Sequence, residues 1–316
     1  MTFFTIVVPS FNRERLIARA IDSVLAQVDA DFENVVVDSA STDNTRNVVR
    51  DYAARDARIR LVREETRRGV CAARNLGIAN AHGEWIVPLD TDDELPAGTL
   101  AMFRRHIAGD PNADHHRYLC RWDDGSISPT PPFRDEVWDY DGYLRFLNQC
   151  ENGRGETMSC IRASTFAEIR YPETRAYETI YHLDFARRHL THAHPEVARL
   201  YHTDAEDQNS FVPNPQHWLR VAPDVAASLN DVLARHGAAL ARTAPRAYAD
   251  FLRTTAKFNF LAGDRRRGAA LLRRLWSKHP LVPISWIIFI FGMLGRVPLA
   301  WIDSVRFRIH WLRVRA

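Results

Sequence analysis

Three carboxylates lie within four residues of one another, at Asp90, Asp92 and Asp93. They follow the apolar run Glu84–Leu89, which has the length and composition of a buried strand. Carboxylates this close together repel one another and are stabilised by a shared counter-charge. A hard divalent cation with oxygen ligands, Mg²⁺ or Mn²⁺, supplies that charge and commonly bridges to the phosphates of a substrate. The alternative is a solvated acidic turn, and the rest of the chain decides between the two.

The first hundred residues alternate between strand and helix patterns. Apolar runs predict strands over 3–8, 34–37, 59–62 and 84–89, and the intervening segments have helical spacing. This alternation predicts an α/β fold with a doubly wound, mostly parallel sheet. Ligands of such sheets bind beyond the carboxyl ends of the strands. Asn12, Asp38 and the acidic motif all lie at strand ends, so we expect them to converge on one site.

Two other nucleotide-binding classes lack their motifs here. A dehydrogenase would have Gly-x-Gly-x-x-Gly after the first strand, where this chain has Pro9–Arg13. A nucleotidyltransferase would usually have a glycine-rich phosphate loop at the same place, and a P-loop is absent from the sequence. Phosphates would therefore be held by a metal ion and arginine.

The composition is that of a globular protein. The 316 residues are 46% hydrophobic and 26% charged, which suits one large domain and a smaller one. The net charge of +3 gives no ground to expect a nucleic-acid partner. The four cysteines have no metal-binding spacing, and strand-like sequence begins at Phe3 with no signal-peptide pattern. We therefore expect reduced thiols and a cytoplasmic location.

Four motifs together resemble those of family 2 glycosyltransferases, which are inverting, nucleotide-sugar-dependent enzymes with a GT-A fold. They are Ile6–Asn12, Val37–Asp43, Ala73–Ile78 and Leu89–Asp93. The resemblance covers about the first hundred residues. It implies a GT-A type sheet flanked by helices, a nucleoside-diphosphate sugar donor with UDP favoured, and Mn²⁺ or Mg²⁺ as cofactor.

The resemblance also implies roles for individual residues. Asp92 would bind the cation, with His202 a weaker candidate ligand that is otherwise an ordinary loop histidine. Asp38 would hydrogen-bond the base, although Ser39 replaces the family's frequent second acid and leaves the nucleotide preference open. Arg74 would neutralise the diphosphate, with a surface salt bridge as the alternative. The full set expected to bind the nucleotide sugar is Pro9, Phe11, Asn12, Asp38, Arg74, Asp90, Thr91 and Asp93.

An inverting transfer requires a carboxylate that takes the proton from the acceptor hydroxyl. The family usually has a Glu-Asp pair at a helix start in this region, and this chain has Glu178 followed by Thr179. Glu178 is therefore the candidate base and Asp184 its rival. Both are structural in the remaining alternative, with Glu178 stabilising the helix N-terminus.

The last hundred residues change in composition. We expect a catalytic domain over 1–212, a helical appendage over 213–279 and an apolar, basic tail over 280–316. The tail has tryptophans beside arginines, which suits a membrane interface, and the alternative is packing against protein. Attachment through 281–316 to the inner face of the membrane would bring the enzyme close to a lipid-linked acceptor.

The sequence thus favours a metal-dependent inverting glycosyltransferase that acts on a glycan or lipid-linked acceptor in cell-envelope polysaccharide synthesis. A catalytically degenerate sugar-nucleotide-binding or scaffold protein is one alternative, and Thr179 is the residue that supports it. A nucleotidyltransferase is another.

Overall fold

The computed structural model describes residues 2–150, 155–173, 178–203 and 215–315, with side chains up to residue 305. The chain divides into two compact units. One is formed by Met1–Glu173 and Tyr181–Ala205, and the other by Thr174–Ile180 and Glu206–Ala316. The predicted boundary between residues 212 and 213 lies outside the described ranges, so the division into three parts stays a prediction.

The first unit is built on a mixed sheet of nine described strands. The strands are β1 (Phe4–Ser10), β2 (Phe32–Ser39), β3 (Ile59–Glu64), β4 (Trp85–Pro88), β5 (His115–Trp122), β6 (Ile127–Ser128), β7 (Glu136–Trp138), β8 (Thr157–Arg162) and β9 (Thr191–Tyr201). Their order is β3-β2-β1-β4-β8-β5-β9-β7, with β6 paired to β5. The first four strands of that order are parallel, β8 is antiparallel to both neighbours, and β5 and β9 are again parallel.

Helices follow the strands as the alternating pattern predicts. They are α1 (Ile17–Leu25), α2 (Thr45–Arg55), α3 (Val70–Ala79), α4 (Thr99–Gly109), α5 (Tyr140–Gln149) and α6 (Thr179–Ala186), with a 3₁₀ helix over Ala163–Ala167. The strand β1 is buried on both faces because its side chains alternate between two cores. Phe4, Ile6 and Val8 lie in the core that includes residues of α1 and α4, whereas Val7 lies in the core that includes Cys71 of α3.

Two predicted elements have different bounds in the structure. The amphipathic pattern of the sequence predicts a helix over Val137–Gln149, but the helix begins only at Tyr140, because Glu136–Trp138 pairs with β9. Asp139 then caps α5 by accepting a hydrogen bond of 2.8 Å from the backbone N–H of Gly142. The sequence also predicts a strand over Val197–Tyr201, which is the last part of β9, a strand that begins at Thr191.

The second unit is helical over its described part. It contains α7 (Pro215–Thr243), α8 (Pro245–Ala262), α9 (Arg265–Trp276), α10 (Pro283–Leu294) and α11 (Arg296–Arg315). Gly263 links α8 to α9 with a φ of 98°, and the Asp264 carboxylate caps α9 through the backbone N–H of Arg267. Within the described ranges, no helix has both the length and the apolar character that crossing a bilayer requires.

Candidate functional site

The predicted site residues lie at the carboxyl edge of the sheet, on both sides of β1. The strands β2 and β3 lie on one side of β1. The chain then crosses over, and β4 pairs with β1 on its other side. Doubly wound sheets bind ligands in the crevice beyond the strand ends, at such a reversal of strand order. Ser10 pairs with Asp38, and Val7 pairs with Pro88. The register therefore brings Asn12, Asp38 and the acidic motif to one edge.

Asn12 holds the loop after β1 against the loop after β2. Its backbone N–H donates to the Ser41 hydroxyl at 2.9 Å, and its side-chain oxygen accepts from the Thr42 backbone N–H at 2.9 Å. Both loops contain a residue in the left-handed region, Asn12 with φ 51° and Ala40 with φ 58°. Non-glycine residues in this region are strained and occur preferentially at functional sites. The paired loops form one wall of the crevice.

Asp38 is fully buried, and other groups of the protein balance its charge. One carboxylate oxygen accepts from the Arg46 guanidinium at 2.9 Å, and the other accepts from the Ser41 backbone N–H at 3.1 Å. The role of Arg46 was not predicted from the sequence, although a buried carboxylate requires a cationic or hydrogen-bonding partner. The contact between Asp38 and a base stays a prediction.

Arginines from two elements hold Asp90. Arg74 of α3 donates to one carboxylate oxygen at 2.7 Å, and Arg199 of β9 donates to the other at 2.9 Å. Burial by itself would raise the pKa of Asp90, but the two guanidinium charges outweigh it and lower the pKa to about 2. Asp90 is therefore an anion at neutral pH. Arg74 lies next to the acidic motif, and its role at a diphosphate stays a prediction.

Arg199 also forms an ion pair with the buried Asp93. The backbone N–H of His202 donates to the other Asp93 oxygen at 3.1 Å. Burial raises the pKa of Asp93 to about 7 against the opposing charge of Arg199, and the nearby carboxylates add to the rise. Asp93 thus fixes the acidic loop to the end of β9.

Arg199 was not predicted from the sequence, although its position within a strand could have indicated that its charge is buried. It lies in a strand whose neighbouring residue Ala198 is buried, and a buried arginine needs carboxylate partners. The strand was recognised, but the charge within it was not matched to the surplus of carboxylates after β4.

Asp92 differs from its two acidic neighbours because it forms no ion pair with any described residue. It is half-buried, and burial together with the charge of Asp90 raises its pKa, offset only in part by Arg13 and Arg199. Arg19 donates to the backbone carbonyl of Asp92, which orders the loop and leaves the carboxylate uncompensated. A carboxylate in this environment is stabilised by an external cation, and its hard oxygen atoms fit Mg²⁺ or Mn²⁺. Thr91 beside it is buried.

The family of the chain follows from comparison with known proteins. Residues 5–169, more than half of the chain, match the family described as glycosyl transferase family 2. The chain belongs to this family. The resemblance found in the sequence is therefore confirmed, and the matched region contains the whole acidic motif and the strands on both sides of it.

Curated relatives match over a shorter stretch. Over 98 residues the chain is 41% identical to the UDP-Glc:alpha-D-GlcNAc-diphosphoundecaprenol beta-1,3-glucosyltransferase WfgD of Escherichia coli, a match that covers 31% of this chain and 38% of that protein. Over 91 residues it is 46% identical to the succinoglycan biosynthesis protein ExoO of Rhizobium meliloti, covering 29% of this chain and 26% of that protein. The chain thus spans about a third of the length of these relatives.

Solved structures share the fold over most of the chain. The S. aureus TarS 1-349 structure in complex with UDP-GlcNAc matches with a TM-score of 0.60 and 18% identity, covering 88% of this chain and 92% of that one. The mannosyltransferase PcManGT from Pyrobaculum calidifontis, in complex with GDP-Man and Mn²⁺, matches with a TM-score of 0.54 and 19% identity, covering 96% of this chain and 86% of that one. The expected α/β fold of GT-A type with a C-terminal helical segment is confirmed.

Two further members of the expected nucleotide pocket lie on or after β1. Pro9 is buried in β1 opposite Val37. Phe11 is half-buried, and the Arg67 guanidinium lies 3.8 Å from the centre of its ring. This cation–π contact places a positive charge beside the crevice. Arg67 was not among the residues predicted from the sequence.

The ring of His202 lies between two carboxylates. Nε2 is 2.7 Å from Glu94 and Nδ1 is 2.6 Å from Asp123. A metal ion bound to His202 would replace one of these contacts, so its role as a ligand stays a prediction. The contact with Asp123 also joins the ends of β5 and β9.

The candidate bases lie at and within α6. Glu178 directly precedes this helix, and Asp184 lies in its second turn. Both side chains are half-buried. The structure confirms a helix start at this position, and the catalytic assignment of either residue stays a prediction.

Proposed function

We propose that the protein is a metal-dependent inverting glycosyltransferase. It transfers a sugar from a nucleoside-diphosphate donor, with UDP favoured, to a glycan or lipid-linked acceptor in cell-envelope polysaccharide synthesis. The observation that carries the proposal is the uncompensated carboxylate of Asp92 in the crevice between β1 and β4, beside two carboxylates that the protein neutralises itself. The name of WfgD describes a UDP-Glc donor and a diphosphoundecaprenol-linked acceptor, and that of ExoO describes succinoglycan biosynthesis, and both support the proposal.

In this proposal each residue of the crevice has a separate task. Asp92 would hold Mn²⁺ or Mg²⁺, with His202 as a further candidate ligand, and the bound ion would supply positive charge for the diphosphate leaving group. Arg74 and Arg67 add positive charge around the same crevice. Phe11 and Asn12 form the wall for the nucleoside, and Asp38 offers its remaining lone pairs to an imide N–H or a ribose hydroxyl.

The protein must also accept a proton from the acceptor hydroxyl as that oxygen attacks the sugar. Glu178 is the proposed base, because it directly precedes a helix and the resemblance implies a base at the start of a helix in this region. Asp184 is the alternative. Asp90 and Asp93 are unsuited to the task because both are held in ion pairs with Arg199.

Measuring the turnover of variants distinguishes between the two candidate bases, Glu178 and Asp184. We expect Glu178→Gln to reduce the rate of UDP release from a UDP-sugar in the presence of acceptor by at least about 100-fold, in line with loss of a general base. Donor affinity should be unchanged, because the amide has the same shape. Asp184→Asn is the matched control and should keep most of the activity. Loss of activity in Asp184→Asn with retention in Glu178→Gln would reverse the assignment, and a wild-type protein without turnover would favour the scaffold alternative.

We further propose that α10 and α11 lie on the anionic inner surface of the membrane. Large apolar side chains of these helices are exposed, namely Trp286, Ile287, Ile290, Met293, Leu294, Val297, Trp301 and Val305. The sequence then continues with Arg306, Arg308, Arg313 and Arg315. Apolar side chains beside cationic ones match the acyl boundary and headgroups of an anionic bilayer, where each cation adds about 1 kcal/mol.

A further inference from the structure

Three histidines form a cluster in the amino-terminal half of two neighbouring strands, far from the acidic motif. His116 pairs with His192 between the parallel strands β5 and β9, and Tyr118 pairs with His194 in the same register. Alternate residues of a strand share a face, so His192 and His194 face the same side as His116. The adjacent His115 faces the other side, where it contacts Thr191 and Ser159.

The imidazole rings of the cluster are close enough to share one ligand. His116 Nδ1 lies 3.0 Å from His194 Nε2, and the rings of His192 and His194 are stacked with their centres 4.1 Å apart. One nitrogen from each of the three rings lies within 4.8 Å of the others. Four-coordinate zinc has Zn–N bonds of about 2.0–2.1 Å, which places its nitrogen ligands about 3.4 Å apart. Binding one ion would therefore require the nitrogens to approach by up to about 1.4 Å and the stacked rings to turn so that their lone pairs converge.

The protonation of the rings leaves lone pairs available. Because His116 Nδ1 and His194 Nε2 are at hydrogen-bonding distance, one of these two nitrogens is unprotonated. The other nitrogen of His116, Nε2, is buried and has no hydrogen-bond partner among the described residues. A buried polar atom without a partner is costly and requires an explanation such as an ion.

Both nitrogens of His192 lie within hydrogen-bonding distance of carboxylates. Asp110 lies 2.9 Å from its Nδ1, and Asp135 lies 2.7 Å from its Nε2. An ion bound to either nitrogen of His192 would replace one of these contacts, and the other nitrogen could then donate its hydrogen to the remaining carboxylate, which fixes the ring and increases its basicity. The Asp135 side chain is 70% exposed, so the cluster has a route from solvent.

We propose that His116, His192 and His194 bind a single transition-metal cation of the zinc type. Three imidazoles favour zinc over the hard cations proposed for Asp92. The cluster and His202 lie towards opposite ends of β9, with eight residues from His194 to His202, or roughly 25 Å. The ion is therefore structural, and it ties β5 and β9 to Asp110 at the end of α4.

Zinc binding to the full chain tests the proposal. The untagged protein carries Asp92→Ala, so that the proposed cation site in the crevice does not contribute, and it is stripped with chelator before titration with ZnCl₂. We expect one equivalent of tightly bound zinc and a higher melting temperature. His194→Gln should weaken binding at least 100-fold, because it removes the central ligand. His115→Gln is the matched control on the same strand, facing the other side, and should leave stoichiometry and affinity unchanged.

A second measurement leaves all three histidines in place, so it tests the proposal even if His194→Gln does not fold. X-ray absorption at the zinc edge of the Asp92→Ala protein should show scattering from about three imidazoles. A shell of oxygen atoms alone would overturn the proposal. Absence of tight zinc binding, or equal binding by a folded His194→Gln protein, would also overturn it.

Discussion

Arg199 determines which carboxylate of the acidic motif remains uncompensated. Its guanidinium pairs with Asp90 and Asp93, and Arg74 supplies a second partner to Asp90. The charges of these two carboxylates are thereby balanced inside the protein, whereas that of Asp92 is not. The identity of the carboxylate that is proposed to bind a cation is thus set by a residue that is distant in sequence.

We expect Arg199→Met to destabilise the protein by about 3–5 kcal/mol, because it leaves Asp93 buried without a counter-charge. Urea denaturation measures this loss. Asp93→Asn in the same chain should recover much of it, because the amide removes the buried charge and can still accept the hydrogen bond from His202.

The control for this prediction is Arg58→Ala, which removes a more exposed ion pair with Asp56. Such pairs contribute about 1 kcal/mol or less. A loss below about 1 kcal/mol for Arg199→Met, or a double variant no more stable than the single one, would contradict the proposed charge balance.

Single residues were predictable where a motif or a strand end marked them. Asn12, Asp38 and the acidic motif were placed together from the alternation of strands and helices alone. Arg46, Arg67 and Arg199 were not, because a partner that is supplied from another element depends on packing. The histidine cluster escaped for the same reason, since its members come from β5 and β9 and meet only through the register of those strands.

The position of Arg74 depends on how closely α3 packs on β1. Gly77 lies one turn further along this helix, and a Cβ atom there would lie 2.4 Å from Val7 Cγ1 and 3.1 Å from Val37 Cγ2. The missing side chain therefore allows the close approach of helix and sheet. Val35, Val37 and Ala73 fill the adjoining core.

We expect Gly77→Ala to destabilise the protein by about 1–3 kcal/mol, because the added methyl group overpacks the contact with β1. Thermal or urea denaturation would measure it. Gly109→Ala is the matched control at the end of α4, where a Cβ atom would meet nothing within 4 Å. It should be neutral or slightly stabilising. Equal effects of the two substitutions would show that α3 can move away from β1 at little cost.

Elements with a clear hydrophobic period were predicted well, whereas β7 and the first half of β9 were not predicted. The strands β1, β2 and β4 are almost entirely buried, and β3 is partly exposed, but an apolar run in the sequence predicted each of the four. Glu136–Trp138 forms a strand only because β9 offers it an edge, and Val137 remains exposed there. The first half of β9 contains histidines, Pro195 and Glu196, and its pairing with β5 shifts register between Tyr118 and Cys120. Neither β7 nor the first half of β9 has a hydrophobic period in its own sequence that would predict a strand.

At the scale of the whole molecule, the chain joins a family 2 fold to a helical unit with an exposed apolar surface. The family match ends at residue 169, so the second unit has to be interpreted from its own physical character. Its composition change was predictable from the sequence. The exposed apolar surface of this unit was not predictable from the sequence, because the packing of the helices decides which apolar side chains of α10 and α11 are buried.

We expect the protein to sediment with phosphatidylglycerol vesicles and much less with phosphatidylcholine vesicles. The double variant Leu294→Glu and Trp301→Glu should abolish this binding, because these side chains are 66% and 62% exposed and glutamate is repelled by anionic lipid. Val28→Glu is the control, since Val28 is 80% exposed but lies in the first unit. Binding that survives the double variant would place the membrane contact elsewhere or exclude it.

Calorimetric titration of UDP, and then GDP, with and without Mn²⁺ tests the proposed donor site most directly. We predict binding that requires Mn²⁺, favours UDP and disappears in Asp92→Ala, because this carboxylate is the one that the protein leaves uncompensated. Failure of both nucleotides to bind at any metal concentration, or metal-dependent binding that persists in Asp92→Ala, would contradict the assignment of the crevice between β1 and β4 as a metal-dependent nucleotide-sugar site.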